Sequence, residues 1–488
     1  MENNDLVGLI PAAGRGIRIS SYSKNINKTL LRIEGKPIIK NIIDIMRDAL
    51  HIKQIYVLVG YRKEDVIGQL KDGKELGVRI QYIEIADVAK GLAQGIAEAE
   101  KYIHGDFCVI LGDEVYYHSN HDELIQARNK DYDAVCAVKE VPHPNQIKKN
   151  YSVEIQDGKI VSLVEKPTVI KNNYLGCGTY LFRKSLFDHI RATPPSKKTK
   201  RIELTEVINR IAEKGGRVYP FFLNGGYVNI NNADDYVSAN YEMRSLHFHE
   251  KTISLIIPAY NEESSIGYVI DDFKDKVNEI LVVNNNSADK TEKIARSKGA
   301  RVLTGSFKGY GDALKAGMNN ATGDILVLVE ADGSFFSRDL GKILEYLKDA
   351  DMVLGTRTTK QMIEQAANMD FILRWGNICA AKVIEILWLF KNEPRLTDVG
   401  CTFRGIWKSA YEEMKDSLQG MGPEFSPEMI VEAIRHNKRS IEIPITYSGR
   451  IGGESKFSRN ILSNAKTAIK MFKLIFRKKY FDVIGKRT

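Results

Sequence analysis

The sequence contains few cysteines and no hydrophobic stretch long enough to cross a membrane. The five cysteines lie far apart and include no C-x-x-C pair: Cys108, Cys136, Cys177, Cys379 and Cys401. This spacing argues against a zinc site or a disulfide framework and indicates reduced thiols in a cytoplasmic protein. The longest apolar stretches, such as residues 378–390, are interrupted by charged side chains and fall short of the roughly 18 to 20 residues of a membrane span.

Two further features are missing from the sequence. Residues 1–5 are polar and the apolar run after them is only as long as a strand, so no signal peptide is expected. No basic motif with interleaved aromatic residues is present, so no nucleic-acid ligand is expected either. The 71 Lys and Arg against 62 Asp and Glu give a net charge of +9, which suits phosphorylated ligands and an anionic membrane surface.

Length and pattern together predict more than one α/β domain. A chain of 488 residues, 43% of them hydrophobic, is too long for one ordinary core. Strand and helix patterns alternate early in the chain: helix 38–50, strand 54–59, helix 63–70 and strand 78–83. This alternation predicts a mostly parallel sheet with helices on both faces.

The opening stretch predicts a phosphate-binding loop. A buried strand at residues 6–10 is expected to break at Pro11, and the residues after it that would contact a triphosphate are Ala13, Gly14, Gly16, Arg18 and Lys28. Glycine lets backbone N–H groups approach phosphate oxygens closely, while arginine and lysine neutralise the phosphate charge.

This stretch resembles the signature of sugar-1-phosphate nucleotidylyltransferases, in which a G-x-G-x-R loop precedes a lysine and a G-K-P turn. The resemblance covers about residues 5–245 and implies that Arg18 and Lys28 stabilise charge on a nucleoside triphosphate. Two departures are visible. Residues 20–22 stand where the family often has a proline, and Asn27 replaces the proline that usually precedes the lysine.

Asp113 is the first predicted metal ligand. It follows the buried strand 107–111, and α/β sheets bind ligands at the carboxyl ends of their strands, where a carboxylate offers the hard oxygen that Mg²⁺ or Mn²⁺ prefers. The resemblance places a second ligand at Asn229, where the family usually has the Asp of D-I-G. An amide oxygen can ligate Mg²⁺ without neutralising its charge.

The resemblance also implies contacts with the sugar and the base. Glu165-Lys166-Pro167 is similar to the family's E-K-P, whose lysine faces the sugar phosphate, and Gly178 lies in a segment similar to its sugar-contacting strand. Gly91 opens a helix that approaches the base and sugar in the family. A plain helix N-terminus is the alternative for Gly91.

The second half of the chain repeats the plan of the first. The interval from Lys90 to Gly105 equals the interval from Lys308 to Gly323. In both halves a Gly-Asp pair leads into an apolar strand that ends at carboxylates. We therefore expect two nucleotide-binding units of one architecture in tandem.

The second half resembles family 2 glycosyltransferases, particularly polyprenyl-phosphate sugar synthases of the dolichyl-phosphate mannose synthase type. The motifs stand in the expected order: IIPAYNEE (256–263), VVNNNSADKT (282–291), KGYGDALKAG (308–317), GDILVLVEADGS (323–334), VLGTR (353–357), LTDVGCTFR (396–404) and RIGGESKF (450–457). The two resemblances imply an α/β fold of two Rossmann-like, GT-A-type domains, at 1–246 and 250–460. The implied nucleotide or substrate contacts are Pro258, Ala259, Tyr260, Glu262, Asn284 and Lys308.

Acidic residues of this half indicate its chemistry. Glu330 and Asp332 stand for the family's D-x-D, whose carboxylates hold a divalent metal on the diphosphate. Asn284 replaces an Asp that normally reads the base or ribose, so the nucleotide stays open. Asp398 resembles the acidic residue near the acceptor in that family, and the resemblance implies that it acts as the base. A phosphate acceptor, whose second pKa is roughly 6, is already ionised, and Asp398 would then orient it instead.

Two basic segments close the chain. Arg450, Ser455 and Lys456 belong to an R-x-x-G-x-S-K loop suited to binding phosphates, with a solvated basic turn as the alternative. Residues 461–488 form a basic amphipathic helix pattern. Such a helix can lie on an anionic bilayer or pack on the body of the enzyme, and the sequence leaves both open.

These patterns predict a bifunctional transferase that uses Mg²⁺ or Mn²⁺ in both domains. The first domain would make a nucleotide sugar from an NTP and a sugar 1-phosphate, releasing pyrophosphate. The second would transfer the sugar with inversion to an acceptor such as a polyprenyl phosphate, as in cell-surface polysaccharide biosynthesis at the inner face of the membrane. Two alternatives stay open for the first domain: non-catalytic, regulatory binding of a nucleotide sugar, or activation of a phospho-alcohol with CTP. Oligomeric state is open too.

Overall fold

The computed structural model describes residues 6–14, 26–85, 87, 90–196, 199–363, 371–389, 395–451 and 461–484. The chain divides into two compact units, Met1–Met243 and Arg244–Thr488. Each unit is built around its own sheet.

Thirteen strands are described in the first unit: β1 (Val7–Ala12), β2 (Arg32–Ile33), β3 (Lys36–Pro37), β4 (Gln54–Val59), β5 (Arg79–Glu84), β6 (Phe107–Ile110), β7 (Glu114–Tyr117), β8 (Ala134–Glu140), β9 (Tyr151–Gln156), β10 (Lys159–Glu165), β11 (Tyr174–Phe182), β12 (Val218–Phe222) and β13 (Gly226–Asn229). The described α-helices that begin in this unit are α1 (Ile38–Asp44), α2 (Lys63–Leu70), α3 (Leu92–Ala97), α4 (Leu186–Ala192), α5 (Leu204–Glu213) and α6 (Ala233–His247). The predictions of strand 54–59 and helix 63–70 are confirmed.

The main sheet of the first unit has the strand order β10-β9-β11-β6-β1-β4-β5, with β8 pairing β11 and β12. Strands β6, β1, β4 and β5 run parallel, whereas β11 is antiparallel to β6. Apolar clusters cover both faces of this sheet. That double cover explains why β4 is apolar and buried at five consecutive positions instead of alternating.

The second unit contains the described strands β14 (Ile253–Ala259), β15 (Glu279–Asn284), β16 (Arg301–Thr304), β17 (Ile325–Leu328), β18 (Met352–Thr356), β19 (Arg404–Trp407) and β20 (Ser440–Pro444). Its described helices are α7 (Ile266–Phe273), α8 (Thr291–Ser297), α9 (Tyr310–Asn320), α10 (Leu340–Leu347), α11 (Phe371–Leu387), α12 (Lys408–Met414), α13 (Phe425–Arg435) and α14 (Ile461–Val483).

The sheet of the second unit repeats the plan of the first, with the order β16-β15-β14-β17-β19-β18-β20. In both units the first long strand is central, the next two lie on one side of it, and a parallel strand followed by an antiparallel one lies on the other. The predicted tandem of α/β units is confirmed.

The prediction that the first strand breaks at Pro11 is wrong. β1 continues through Pro11, which pairs with Leu58 of β4, although pairing with β6 has already ended at Leu9. Pro258 in β14 is placed in the same way, opposite Val283. A proline is tolerated in a strand where its nitrogen need not donate to a neighbour.

The C-terminal helix α14 packs on its own unit. Leu474, Ile475 and Lys478 are buried, and Trp388 donates its indole N–H to Asp482 at 2.8 Å. The packing alternative left open by the sequence is therefore realised on one face of the helix. Within the described ranges, no helix is both long enough and apolar enough to cross a membrane.

Candidate functional site

The first site lies where β1 and β6 end. Ala13 follows β1 directly, and its carbonyl accepts the N–H of Tyr61 at 3.1 Å. Gly14 is exposed beyond it. The predicted phosphate contacts Gly16 and Arg18 lie outside the described residues, so their roles stay predictions.

Lys28 is held at this edge by the residue before it. Asn27 is fully buried, and its Nδ2 donates to the carbonyls of Ala12 at 2.9 Å and Tyr61 at 2.8 Å. Its Oδ1 accepts from the N–H and the hydroxyl of Thr29 and so caps the 3₁₀ turn that begins at Lys28. Asn27, which stands where the family has proline, therefore fixes the position of Lys28 through the hydrogen bonds of its side chain.

Asp113 and Asn229 lie at the same edge. Asp113 stands between β6 and β7, and its Oδ2 accepts from Lys28 Nζ at 2.5 Å. Strand β13 runs antiparallel to β7 and places Asn229 opposite Glu114. The N–H of Ile230 donates to the Asp113 carbonyl at 3.0 Å. Strand pairing thus brings together residues that are more than a hundred positions apart.

A buried carboxylate supports this edge from behind. Glu114 accepts from the N–H of Gly178 at 2.7 Å, from the hydroxyl of Tyr227 at 2.7 Å, and from the hydroxyl of Tyr116. A Cβ at Gly178 would lie 2.5 Å from the carboxylate, so glycine is needed there. Burial raises the pKa of Glu114 to about 7.

The other predicted residues of the first site lie at or beside turns with positive φ. Lys166 has a φ of 46°, and its N–H donates to the Asn150 carbonyl at 2.7 Å. Its Nζ lies 3.9 Å from Glu165, whose pKa is raised by burial. Gly91 has a φ of 102°, and a Cβ there would lie 2.7 Å from the carbonyl of Ile202. Only glycine suits that position.

The second site begins where β14 ends. Pro258 and Ala259 close the strand, and Tyr260 beyond them is 46% exposed. The N–H of Glu262 donates to the hydroxyl of Thr291 at 2.8 Å, which ties this loop to the start of α8.

Asn284 does not face outward at the end of β15. It is 1% exposed, its Nδ2 donates to Glu292 at 2.9 Å, and its Oδ1 accepts the N–H of Ser287 at 3.1 Å. In this arrangement Asn284 shapes the loop and does not present an amide to a base. Lys308 is exposed just before α9, and its N–H donates to Asp312 at 3.0 Å.

Glu330 and Asp332 lie together just after β17. Asp332 Oδ1 accepts from the N–H and hydroxyl of Ser334 at 3.0 and 2.6 Å. Arg450 reaches both acids, with Nε 3.0 Å from Asp332 and Nη2 3.7 Å from Glu330. Burial, followed by the Asp332 charge, raises the pKa of Glu330 to about 7.

Asp398 forms a closed ion pair with Arg357. The guanidinium donates to both carboxylate oxygens at 2.9 and 3.0 Å, and the carboxylate is fully buried. Burial alone would raise the pKa of Asp398, but Arg357 outweighs it and the pKa lies below its usual value. This geometry fits a positioning residue and not a general base. Ser455 and Lys456 lie outside the described residues.

Two family models match the chain. Residues 7–245 match the model described as nucleotidyl transferase, and residues 254–414 match the model described as glycosyl transferase family 2. The chain joins a nucleotidyl transferase domain to a family 2 glycosyl transferase domain.

Named relatives each cover about half of the chain. The bifunctional protein GlmU of Methanococcus maripaludis is 31% identical over 252 residues, which are 51% of this chain and 56% of that protein. UTP–glucose-1-phosphate uridylyltransferase AglF of Haloferax volcanii is 28% identical over 227 residues, 46% of this chain and 92% of that protein. The chain spans about half the length of the GlmU relatives it matches.

One solved structure also covers half of the chain. UDP-glucose pyrophosphorylase complexed with UDP-glucose superposes with a TM-score of 0.44 and 22% identity, covering 50% of this chain and 99% of that one.

Both transferase domains offer oxygens that suit a divalent cation. Among the described residues, no group of three or more His, Cys, Asp or Glu forms a complete metal cage. Mg²⁺ in nucleotide-handling enzymes needs fewer protein ligands, because waters and substrate phosphates complete its shell. Asn229 Oδ1 is buried and accepts no hydrogen bond, which fits a ligand role beside Asp113. Asp332 Oδ2 is buried 3.0 Å from Arg450 Nε, so its charge is paired with that guanidinium.

Sequence reasoning missed several residues that organise these sites. Glu442 accepts the N–H groups of Thr397 and Asp398 at 2.6 and 2.7 Å, and burial raises its pKa to about 7. Arg357 belongs to the VLGTR motif, and this motif was the one signal in the sequence that pointed to its ion pair with Asp398. Nothing in the sequence around Asn150 marked it as a neighbour of Asn229.

Proposed function

We propose that this chain makes a nucleotide sugar in its first domain and uses it as a glycosyl donor in its second. The first domain would span residues 1–246 and the second residues 250–460. The observation that carries the proposal is that each unit ends its central parallel strands at carboxylates with a cation beside them. These pairs are Asp113 with Lys28 and Asp332 with Arg450.

In the first reaction, an oxygen of the sugar 1-phosphate attacks the α-phosphorus of an NTP, and the bond to the β-phosphate breaks to release pyrophosphate. Lys28 stabilises charge on the triphosphate, and Lys166 positions the sugar phosphate. Asp113 and Asn229 would hold a divalent cation, which supplies neutralisation of the phosphate charge. UTP is the first NTP to test, because AglF is named as a uridylyltransferase.

In the second reaction, an acceptor oxygen attacks the anomeric carbon as the bond to the nucleoside diphosphate breaks, which inverts that carbon. Glu330 and Asp332 would hold the cation on the departing diphosphate. The closed Arg357–Asp398 pair leaves Asp398 unsuited to remove a proton. That supports an acceptor that is already ionised, and a polyprenyl phosphate meets this requirement.

A polyprenyl acceptor requires the protein to reach a membrane, and α14 has a surface for it. Opposite its packed face, Phe476 is 52% and Tyr480 62% exposed, with exposed Lys473 and Arg477 nearby. Aromatic and basic side chains on one surface favour the interface of an anionic bilayer. We infer peripheral attachment at the inner face, in a cytoplasmic protein.

Sedimentation with vesicles tests the attachment. The wild type should pellet with phosphatidylglycerol vesicles and less with neutral phosphatidylcholine vesicles. The double variant Phe476→Ser/Tyr480→Ser, which leaves the packed face intact, should stay in solution. Equal sedimentation of both proteins would rule out this surface.

Product analysis tests the two reactions. The full chain is incubated with a panel of NTPs and either sugar 1-phosphates or phosphocholine, with and without polyprenyl phosphate, and its products are identified by mass spectrometry. We expect pyrophosphate and a nucleotide sugar, and a glycolipid when the polyprenyl phosphate is present. Asp113→Ala should abolish pyrophosphate release. No release by the wild type would favour a regulatory first domain, and release only with CTP and phosphocholine would favour a phospho-alcohol substrate.

A further inference from the structure

One buried oxygen at the first site accepts no hydrogen bond, namely Oδ1 of Asn229. Leaving a buried acceptor unpaired is destabilising, so such an atom calls for a ligand. Asn229 pairs with Glu114 across the β7–β13 ladder, which puts it beside Asp113. A cation between Asp113 and Asn229 would satisfy this oxygen.

An asparagine side chain has only one oxygen, so its use as a metal ligand depends on whether that oxygen or the amide nitrogen faces the site. Asn150 decides this. Its Nδ2 donates to the carbonyl of Gln146 at 3.3 Å, and a carbonyl can only accept. The Oδ1 of Asn150 is therefore turned to Asn229, whose Nδ2 donates to it at 2.9 Å. With its nitrogen engaged, Asn229 presents its oxygen to the site.

The backbone of Asn150 is also fixed. Its N–H donates to the carbonyl of Ile147 at 3.0 Å, and its carbonyl accepts the N–H of Lys166 at 2.7 Å. The side chain that orients Asn229 is thus attached to a held backbone. Substituting the side chain leaves both backbone hydrogen bonds available.

We propose that Asn150 is a positioning residue that keeps the oxygen of Asn229 directed at a divalent cation, a role that rests on the proposed nucleotidyl transfer. An Asp at position 229 would need no such partner, because both terminal atoms of its side chain are oxygens. The change from Asp to Asn creates the need for orientation, and the chain meets it with a second amide. This chain of hydrogen bonds runs from Asn229 through Asn150 to the backbone carbonyl of Gln146, which can only accept. The direction of every hydrogen bond in the chain is therefore fixed.

Mn²⁺ binding tests this role independently of turnover. The full chain, carrying Asp332→Asn to silence the second site, is titrated with Mn²⁺, and the free ion is followed by electron paramagnetic resonance. Asn150→Ala should weaken binding about tenfold or more, as substitutions behind metal ligands typically do. Asn145→Ala is the matched control, since Asn145 is exposed in the short 3₁₀ helix Pro144–Lys149 that ends just before Asn150, and it should bind like the parent.

A second background separates orientation from general damage. In Asn229→Asp the same Asn150→Ala change should leave Mn²⁺ binding unchanged or tighter, because either oxygen of a carboxylate can bind the ion. Equal weakening in both backgrounds would overturn the proposal. So would a parent protein that binds no more Mn²⁺ than Asp113→Asn does.

Kinetics give a second readout if the wild type is active. In Asn150→Ala the Mg²⁺ concentration for half-maximal pyrophosphate release should rise, while KM for the sugar 1-phosphate stays constant because the Lys166 bond uses the Asn150 backbone. Mn²⁺ binding that depends on Asn150 in an inactive wild type would refute the proposed reaction and keep the orienting role. An active wild type whose Mn²⁺ binding ignores Asn150→Ala would refute the role alone.

Discussion

Asn27 illustrates how one residue can replace another by a different physical route. Its φ of −65° and ψ of 137° are values that proline favours. The family pattern has proline before the lysine, which fixes the chain by its ring. Here Asn27 fixes it by four hydrogen bonds to Ala12, Tyr61 and Thr29.

We predict that Asn27→Ala is more harmful than Asn27→Pro. Alanine leaves buried carbonyls unpaired, which should lower the free energy of unfolding by about 1–3 kcal/mol, and it releases Lys28. Proline loses the same bonds but keeps the backbone angle. Urea unfolding and the rate of pyrophosphate release check this, and equal losses in the two variants would contradict it.

His121 gives the first unit an acid-sensitive contribution to stability. It is fully buried, with its ring nitrogens 2.8 Å from the Ser119 hydroxyl and 3.1 Å from the Thr179 hydroxyl. Burial lowers its pKa from 6.5 to about 4. Between these values the unfolded chain binds a proton that the folded one does not, so folding loses stability as the pH falls.

We expect this to appear as a pH-dependent difference between the wild type and His121→Asn. The advantage of the wild type should shrink by up to about 1.4 kcal/mol per pH unit as the pH falls from 6.5 toward 4, and it should be constant above 7. Urea unfolding at a series of pH values measures it. A difference that does not change over that range would show that His121 is not held neutral.

At the scale of elements, α14 is attached to the second unit by a buried ionic cluster. Lys478 is fully buried, and its Nζ lies 3.0 Å from Glu428 and 2.9 Å from Glu432. Glu428 also accepts the N–H groups of Gln419 and Gly420 at 3.0 and 2.6 Å. The helix therefore supports the segment 419–421, in which the carbonyl of Met421 accepts the N–H of Asp312 in the first turn of α9 at 3.1 Å.

We predict that Lys478→Met lowers the free energy of unfolding of the second unit by about 3–5 kcal/mol, because it leaves the buried Glu428 carboxylate without its cation, while Glu432 keeps only its ion pair with Arg435. Lys470→Met is the control, since an exposed substitution of the same kind on α14 should change stability by less than about 0.5 kcal/mol. Thermal unfolding of the full chain compares them. Similar midpoints for the two variants would show that the cluster does not hold α14.

Element patterns also show where sequence reasoning succeeded and where it stopped. Strand 54–59 and helix 63–70 were predictable because apolar periodicity is a local property of the chain. The direction of the Asn284 side chain was not predictable, because it depends on a hydrogen bond to Glu292 in the first turn of the next helix. Likewise, no local pattern could show that Asp398 is sealed by Arg357.

For the whole molecule, the proposed order of reactions makes a complementation prediction. Asp113→Asn should lose nucleotide-sugar synthesis by about a hundredfold or more but still transfer sugar from added nucleotide sugar, and Asp332→Asn should do the reverse. A mixture of the two variants should regain glycolipid synthesis from an NTP and a sugar 1-phosphate, because the nucleotide sugar can diffuse between them. Mass spectrometry of the lipid fraction measures this.

The double variant Asp113→Asn/Asp332→Asn serves as the control and should make no glycolipid. If the mixture fails while each variant retains its remaining reaction, the first product is not the second donor. That result would separate the two activities without denying either one.

The sequence by itself determined the two α/β units, their order, and the edges at which acidic and basic residues gather. These follow from local periodicity and from short motifs whose spacing is set along the chain. Only the tertiary structure decided which atoms of those residues remain available. The Asn150–Asn229 amide pair, the Arg357–Asp398 ion pair and the Lys478 cluster join residues far apart in sequence. Their orientation depends on hydrogen-bond polarity and burial, which exist only once the chain is folded.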